Sequence, residues 1–404
     1  MLRARGHHVL LATRDGRSHP GTQALALDLA ALPDAATLRG VLAGVDVVVN
    51  TAGIFRATRK QSFDAVHVNG LREVLRAARE AGVRRFIQLS ALGADPVSAL
   101  PYFSSKGRAE AEVQGAGMEY SVVRPSLVFA AGGASSRWFA GLASLPLTPL
   151  PGGGCQQVQP LHLDDLVQAL VRLVEAAQVP PALDAVGPRA LSLRGYLAMF
   201  RQAMGSPGRF VAMPSAWARR LAGIGRLWPR LPLDRDALAM LDAGNTADPG
   251  PFGTWLGRAP RDPGRFISKE QAVPMRHQAV LAWAVPLMRI ALAIMWIATA
   301  VVSLWVYPRA DSLALLAKVG LHGGLALAAL WTAALLDLAL GAALLLAPRR
   351  SVVYAAQLAL VLGYTIIVSV FLPGQWGHPF GPVLKNVPLL AMILALLALD
   401  RERQ

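Results

Sequence analysis

Cysteine is almost missing from this chain of 404 residues, in which Cys155 stands alone. A single cysteine excludes an intrachain disulfide and a metal centre built from several thiolates, and no metal site is predicted. Lysine is scarce as well, because 35 of the 40 basic residues are arginine, and these are scattered. Without a basic block, the net charge of +15 predicts no nucleic-acid partner. The first residues, MLRARGHHV, lack the apolar stretch of a secretory signal peptide.

Apolar residues, by contrast, are in excess: they form 54% of the chain, and the mean hydropathy is +0.41. The excess is concentrated toward the C-terminus, where four apolar stretches each approach the roughly 20 residues that a helix needs to cross a bilayer. These stretches cover residues 281–307, 324–347, 352–372 and 380–399. We therefore predict a four-helix transmembrane domain at 276–404, with a lipid bilayer as its partner, after a soluble domain at 1–270.

Basic residues near the apolar stretches predict the orientation. Arg349 and Arg350 lie in a turn between two stretches, and Arg401 and Arg403 lie in the tail. Because cytoplasmic loops carry an excess of Lys and Arg, both segments are expected on the cytoplasmic side. This predicts a multi-pass protein of the cell (inner) membrane, with the N-terminal domain and both termini in the cytoplasm.

Two charged residues, Arg289 and Asp337, fall inside the predicted spans. A lone charge in mid-membrane costs about 2.5–3.5 kcal/mol or more. Since their depths match, we expect them to pair as a salt bridge that assembles the helices. The alternative is a proton or quinone-headgroup site that also uses four later residues: His322, Trp376, Lys385 and Asn386.

The N-terminal part alternates short apolar runs with helical patterns. The runs cover residues 6–15, 44–53, 84–92 and 120–129, and one helical pattern covers 65–81. Continuous apolar strands alternating with helices indicate a parallel, doubly wound α/β sheet. Ligands of such sheets lie at the carboxyl ends of the strands. Arg14, Asn50, Gly53 and Ser90 follow these strands, which favours a dinucleotide site.

Tyr102 and Lys106 are four residues apart, which places them on one face of a helix about one turn from each other. An ammonium close to a phenol favours phenolate, so we expect the pKa of Tyr102 to be lowered from about 10. With a Ser hydroxyl nearby, such a pair supplies the proton transfer that accompanies hydride exchange between a nicotinamide and a carbonyl or alcohol.

Residues 6–265 resemble an atypical short-chain dehydrogenase/reductase of the Rossmann-like branch that includes NmrA-like proteins and the accessory Rossmann subunit of respiratory complex I. The matching motifs are VVNTAGIF, VHVNGLREVLRAAREAGVRRFIQLSALGA, YFSSKGRAE, VVRPSLVF and VQPLHLDDLVQAL. The resemblance implies that Ser90, Tyr102 and Lys106 are catalytic and that Lys106 also holds the cofactor ribose. It further implies a set of cofactor-binding residues: Arg14, Asp28, Asn50, Thr51, Ala52, Gly53 and Asn69.

Arg14 follows the second strand of the family pattern, where an arginine rather than an acidic residue suits the 2′-phosphate of NADP. NADP is therefore the expected cofactor, with NAD as the alternative.

The chain departs from the family pattern at its start. It opens with the last turn of a helix, which Gly6 is expected to cap, so the first strand, the glycine-rich phosphate loop and most of the first helix are missing. The missing strand would lie at the centre of the sheet, so its neighbours would keep unpaired edges. We expect a true start roughly twenty residues upstream by the family's spacing; the alternative is a degenerate protein that no longer binds a dinucleotide.

The C-terminal part resembles the DoxX-like membrane family through four segments: RIALAIMWIATAVVSLW, LLAKVGLHG, LLDLALGAALLL and LPGQWGHPFGPVLKNVPLL. Together the two resemblances predict a membrane-tethered NAD(P)H-dependent oxidoreductase that acts on a small carbonyl or quinone-like substrate. The alternative is a non-catalytic NAD(P)H-binding scaffold or redox sensor. A third hypothesis makes the membrane part the working unit, and a homo-oligomeric state is left open.

Overall fold

The computed structural model describes residues 1–32, 34–224, 235–379 and 381–401. It divides into two compact units, residues 1–279 and 280–404. The first is built from strands and helices in alternation, and the second is built from helices.

The first unit contains twelve described strands, some of only two residues. They are β1 Leu10–Thr13, β2 Gln23–Ala26, β3 Val47–Asn50, β4 Arg85–Leu89, β5 Glu119–Pro125, β6 Val128–Phe129, β7 Leu147–Pro151, β8 Gln157–Val158, β9 Leu161–His162, β10 Ala182–Ala185, β11 Leu191–Ser192 and β12 Arg209–Met213. The α-helices that follow and separate them are α1 Ala35–Leu42, α2 Gly70–Glu80, α3 Pro101–Gln114, α4 Ala134–Ala143, α5 Leu163–Glu175, α6 Leu193–Met204, α7 Ser215–Ile224, α8 Arg235–Asp242 and α9 Pro249–Leu256.

The main sheet has four strands in the order β10-β5-β4-β3, and every neighbouring pair is parallel. Its central residues Phe86, Ile87, Val122 and Val123 are fully buried. Helices cover both faces of such a sheet, so its strands are apolar on both sides and show no alternation. The predicted parallel α/β fold is confirmed.

The sheet is interrupted beyond β3. Strands β1 and β2 pair only with each other, as a separate parallel sheet, and a cavity of about 1690 Å³ is lined by β1, β2 and β3. Among the described strands, neither β1 nor β3 has a partner on its second edge, as expected for a sheet without the family's first strand. Gly6 ends a single helical turn, Arg3–Arg5, with a φ of +87°, which confirms its predicted role as a cap.

The second unit and the helix that leads into it contain the apolar helices. They are α10 Lys269–Val301, the short α11 Arg309–Ala317, α12 Gly323–Leu346, α13 Arg350–Phe371 and α14 Asn386–Arg401. Among the described residues, three helices are long and apolar enough to cross a membrane: the first runs to Val306 through a π-helical turn, and the others are α12 and α13. The predicted fourth span is shorter than expected, because α14 begins only at Asn386; its predicted start at Phe380 lies outside the described residues.

The predicted pairing of Arg289 with Asp337 is wrong. Arg289 donates hydrogen bonds to the Asp400 carboxylate and, over 2.9 Å, to the Tyr354 hydroxyl. The reason is that the last turn of α14 brings an acid to the end of the bundle where Arg289 lies. Asp337 remains buried in the bundle with one carboxylate oxygen that has no hydrogen-bond partner among the described residues.

Candidate functional site

Helix α3 carries Tyr102 and Lys106 along the carboxyl end of the main sheet. It begins with Pro101, whose fixed φ and missing N–H suit a first helical position. The Lys106 ammonium donates a 3.0 Å hydrogen bond to the backbone carbonyl of Leu89, the last residue of β4. A Cβ atom added to Gly53 would lie only 3.1 Å from the same nitrogen. Lys106 therefore binds the end of β4 beside the segment that follows β3, and a glycine at position 53 makes room for it.

Lys106 is almost completely buried. Burial lowers its pKa to about 8, although the nearby Glu110 carboxylate opposes this shift. The side chain is thus still cationic at neutral pH but close to losing its proton.

Tyr102 lies among aromatic rings. Its ring centroid is 5.4 Å from that of Phe55, 5.6 Å from Phe103, 6.0 Å from His67 and 6.1 Å from Phe63. This apolar surrounding raises the pKa of the phenol to about 12 by burial. The expected lowering of the Tyr102 pKa is therefore wrong: the ammonium of Lys106 is bound to Leu89 O, and the aromatic rings determine the environment of the phenol.

His67 is a site residue that the sequence analysis missed. Its Nε2 accepts the backbone N–H of Ile54 over 3.0 Å, and its Nδ1 lies 2.8 Å from the hydroxyl oxygen of Ser105. Burial, with a contribution from Lys106, lowers the His67 pKa to about 3, so the ring is neutral. Because Nε2 accepts a hydrogen bond, the ring proton lies on Nδ1 and is donated to the Ser105 hydroxyl. That hydroxyl in turn donates to the backbone carbonyl oxygen of Tyr102. His67 thereby fixes the segment after β3 against α3.

Ser90 was expected beside Tyr102 and Lys106, but its hydrogen-bond partner is Glu110. The Ser90 hydroxyl donates a 2.5 Å hydrogen bond to Glu110, and the same carboxylate accepts three further hydrogen bonds from the Arg124 guanidinium. Ser90 and Glu110 are both buried. The sequence offered a hint for Glu110, because it follows Lys106 by one helical turn and therefore points the same way.

The predicted adenosine side lies along the cavity between β1 and β3, whose lining includes Arg14, Asp28 and residues 50–53. Arg14 is exposed, and no ion pair or hydrogen bond of its side chain occurs within the described part of the chain. Asp28 caps a short helical turn by accepting the Ala30 N–H. Asn50 donates to Gln88 and accepts from Ala52 N, while Thr51 and Ala52 are exposed. Asn69 is exposed at the end of a π-helical turn, outside that lining.

These residues fit the two ends of a nicotinamide dinucleotide. An uncommitted arginine and exposed backbone lie at the adenosine end, and a buried ammonium with a phenol lies at the other. The centre differs, because the described residues contain no glycine-rich turn leading from a strand into a helix at this crevice, the element that cradles a pyrophosphate. The cofactor's ends therefore have suitable partners, and its pyrophosphate has none among these residues.

Two family profiles match the chain. Residues 1–135 match the NAD(P)H-binding family, and residues 293–394 match the DoxX-like family. The 40 kDa subunit of NADH-ubiquinone oxidoreductase from Neurospora crassa is 28% identical over 193 residues, 47% of this chain and 51% of that protein. Ceramide reductase from Caulobacter vibrioides is 31% identical over 129 residues, 32% of this chain and 40% of that protein. The chain thus spans about half the length, or less, of the curated relatives it matches.

Among solved structures, MoeE5 in complex with UDP-glucuronic acid and NAD superposes with a TM-score of 0.52 at 18% identity. The superposition covers 69% of this chain and 93% of that one, so the similarity shows a common fold for the first unit. The chain therefore combines an NAD(P)H-binding domain with a DoxX-like membrane domain.

Proposed function

We propose that the protein is a membrane-tethered NAD(P)H-dependent oxidoreductase that reduces a carbonyl or quinone-like substrate. The observation that carries this proposal is the arrangement of α3, which holds a protonated phenol and a buried ammonium at the end of the parallel sheet. Carbonyl reduction requires a proton donor and a cation in that region, because the transferred hydride leaves negative charge on oxygen.

Tyr102 is the proposed proton donor. With its pKa raised to about 12, the phenol is fully protonated at neutral pH, which suits reduction better than the reverse reaction. NAD(P)H supplies the hydride when bound. The proton of the Tyr102 hydroxyl passes to the substrate oxygen, which completes an alcohol, and the tyrosinate regains a proton from solvent. The ammonium of Lys106 stabilises that tyrosinate and contacts the ribose.

Ser90 is the proposed third catalytic residue, as a contact to the substrate oxygen. In the described conformation its hydroxyl proton is donated to Glu110, so Ser90 polarises the substrate oxygen only when that hydrogen bond is exchanged for one to the substrate. Ser90→Ala is accordingly expected to cost less activity than Tyr102→Phe.

The substrate is proposed to come from the bilayer, because the domain is fused to membrane helices. A relative named ceramide reductase supports a lipid-borne carbonyl, and a relative named NADH-ubiquinone oxidoreductase subunit supports a quinone. NADP is the preferred cofactor in this proposal, because the free guanidinium of Arg14 can pair with a 2′-phosphate. A homo-oligomer is compatible with the proposal and is not required by it.

The experiment that tests this function is NADPH oxidation by the full chain in lipid nanodiscs, with ketone-bearing lipids and short-chain quinones as substrates. Tyr102→Phe is expected to lower kcat by about 10²-fold or more, since a positioned general acid contributes 10²–10⁴-fold. Tyr307→Phe, an exposed tyrosine in the sequence that follows α10, is the matched control and should leave the rate unchanged. Equal rates for wild type and Tyr102→Phe would remove the phenol from the mechanism.

The second candidate is a non-catalytic NAD(P)H-binding scaffold or redox sensor. It is favoured by the hydrogen bond that Ser90 donates to Glu110. Because of this bond, the Ser90 hydroxyl proton is not available to the substrate oxygen. Saturable NADPH binding without turnover on any substrate of the panel would support it.

The proposed topology is a protein of the cell (inner) membrane with its soluble domain and both termini on the cytoplasmic side, on the basis of Arg349 and Arg350 at the start of α13. The tail residues beyond Arg401 lie outside the described part of the chain. Cys155 provides a native reporter, because it is the single cysteine and is exposed. In intact cells a membrane-impermeant maleimide should leave Cys155 unlabelled until the membrane is opened; labelling before that would place the domain outside.

A further inference from the structure

Helix α7 of the first unit turns small residues inward and large apolar residues outward. Ala218 and Ala222 are buried and pack with Leu238 of α8. Trp217 and Leu221, one helical turn apart, are 59% and 53% exposed. A surface helix normally buries its largest apolar side chains against the core. The outward position of this pair therefore indicates an interaction surface.

The strand before α7 extends the exposed apolar surface. Met213, the last residue of β12, packs against the buried cluster of α7 and α8. Side chains two residues apart lie on the same face of a strand, so Val211 and Arg209 lie on the face of β12 that α7 adjoins. The parallel partner β7 sets Leu147 beside Arg209 on that face. Because Val211 and Leu147 are exposed, the apolar surface of α7 continues along both strands.

The charge of this surface has one sign. Arg209, Arg219 and Arg220 are exposed, and β7, β12 and α7 contain no acidic residue. Within the described part of the chain, none of these three guanidinium groups has a carboxylate partner. The guanidinium carbon of Arg220 lies 6.0 Å from the centre of the Trp217 ring, so a cation and an indole lie side by side at the surface. We call the following six residues the β12–α7 surface: Leu147, Arg209, Val211, Trp217, Arg220 and Leu221.

The composition of the β12–α7 surface selects its partner. Aromatic and aliphatic side chains accompanied by arginines match the interface of an anionic bilayer, where apolar groups enter the acyl boundary and guanidinium groups meet phosphates. The same chain carries apolar helices long enough to cross a membrane, so a bilayer is available to the first unit. A second copy of the chain fits less well, because a two-fold contact through this surface would bring the arginines of the two copies together.

We propose that the β12–α7 surface docks the soluble domain on the face of an anionic bilayer. Its four apolar side chains enter the boundary between headgroups and acyl chains, to a depth of about 5–10 Å. Arg209 and Arg220 bind lipid phosphate groups. Docking depends on this surface alone, so it holds whether or not the domain transfers hydride to a substrate.

The test places a fluorescent probe on the β12–α7 surface of the full chain. In a Cys155→Ser background, Leu221→Cys is labelled with a fluorophore and reconstituted, one chain per disc, in nanodiscs that contain doxyl-labelled lipids. We expect quenching at least about twofold stronger in phosphatidylcholine–phosphatidylglycerol discs than in phosphatidylcholine discs, because anionic lipid attracts the arginines. High salt should remove this difference. Val97→Cys, an exposed apolar position before α3, is the control and should be quenched in neither.

The arginines are tested in the same labelled chain. Arg209→Glu combined with Arg220→Glu should lower the quenching in anionic discs to its level in neutral discs. Arg79→Glu is the matched charge control: this arginine of α2 is exposed, has no carboxylate partner among the described residues, and its change should have no effect.

Two results would overturn the proposal. The first is equal quenching in the two kinds of disc, which includes a probe that stays exposed to water in both. The second is protection of the probe only in discs that hold two chains, which would identify a second copy as the partner.

Discussion

The buried or half-buried polar groups around α3 in the soluble domain, namely Ser90, Glu110, Arg124, Lys106 and His67, differ in their hydrogen bonding from three buried polar side chains of the membrane helices. We call the first set the α3 wall. In the α3 wall, Lys106, both ring nitrogens of His67, and the carboxylate of Glu110 all have partners at hydrogen-bond distance. In the membrane helices, the indole of Trp296, the carboxyl group of Asp337 and the amide of Gln357 have atoms without a partner among the described residues. The polar groups of the α3 wall are therefore held in place by other groups of the same chain, whereas those of the membrane helices are not.

The two domains also differ in the partners that a buried polar side chain can find. Arg85 of β4 has no exposed surface, yet its guanidinium binds Glu119 and closes the end of α5 by donating to the carbonyl oxygens of Leu173 and Ala176. A soluble sheet offers backbone carbonyls at helix ends for this purpose. A membrane helix keeps its carbonyls in its own hydrogen bonds, so side chains there must find other partners.

The largest expected effect comes from breaking the α3 wall at Glu110. Glu110→Ala leaves Arg124 and Ser90 without their shared partner, and we expect a loss of about 3 kcal/mol in the free energy of unfolding of the soluble domain. Chemical denaturation of the full chain, followed by a probe in the first unit, measures it. The matched control is Glu112→Ala on the same helix, whose pair with Arg72 is solvent-exposed and worth less than about 1 kcal/mol. Similar losses of unfolding free energy in the two variants would contradict the larger contribution that we assign to Glu110.

The second largest effect is expected at acid pH, where protonation of His67 should lower the free energy of unfolding of the soluble domain. The folded-state pKa of His67, about 3, lies below the unfolded value of 6.5, so between these values the unfolded chain binds the extra proton. Stability is therefore retained above pH 6.5 and lost as pH falls, by at most about 1.4 kcal/mol per pH unit from this residue. Unfolding of the soluble domain measured from pH 7 to 4 checks the slope. His67→Gln should flatten it, whereas His8→Gln, an exposed histidine, should not.

Alkali should affect activity more than stability. Because burial lowers the pKa of Lys106 to about 8, the ammonium that we assign to the tyrosinate and ribose is lost as pH rises past that value. We expect kcat/KM to fall up to about tenfold per pH unit above pH 8. Pre-steady-state NADPH oxidation across pH 6.5–10 measures this fall, and a flat profile would contradict the role of Lys106.

The smallest expected effect concerns Arg14, the exposed arginine at the adenosine end of the cavity. Arg14→Ala should weaken NADPH binding by roughly tenfold, the scale of one charge-assisted contact, and leave NADH binding unchanged. Fluorescence titration with both cofactors measures the ratio, and Arg17→Ala, whose guanidinium pairs with Asp15, is the control. Equal losses for the two cofactors would argue against recognition of a 2′-phosphate.

The sequence predicted the parallel sheet, its interruption and the membrane helices, because these depend on long apolar patterns. It missed β2, a four-residue strand whose alternation is too short to stand out. It also missed His67 and placed the pKa of Tyr102 in the wrong direction. Both errors concern distant packing: the rings of Phe55 and Phe63 come from a loop that no spacing rule connects to Tyr102.

The pairing of Arg289 failed for a related reason. Matching depth along two helices cannot tell which helix faces which, and Asp400 on α14 was the nearer partner. The unpartnered state of Gln357 could not be predicted at all, since a sequence gives no account of which buried amides find hydrogen bonds.

The separation of β1 and β2 from the main sheet has a consequence for motion. A two-stranded sheet is marginal by itself, and β1 and β2 share no ladder hydrogen bonds with β3. Amide deuterium uptake should therefore divide the soluble domain in two: residues 10–13 and 23–26 exchange within minutes through local opening, while β4 exchanges only when the whole domain unfolds. The crevice that receives a dinucleotide would then have one side, formed by β1 and β2, that opens locally, and another side, formed by the main sheet, that opens only when the whole domain unfolds.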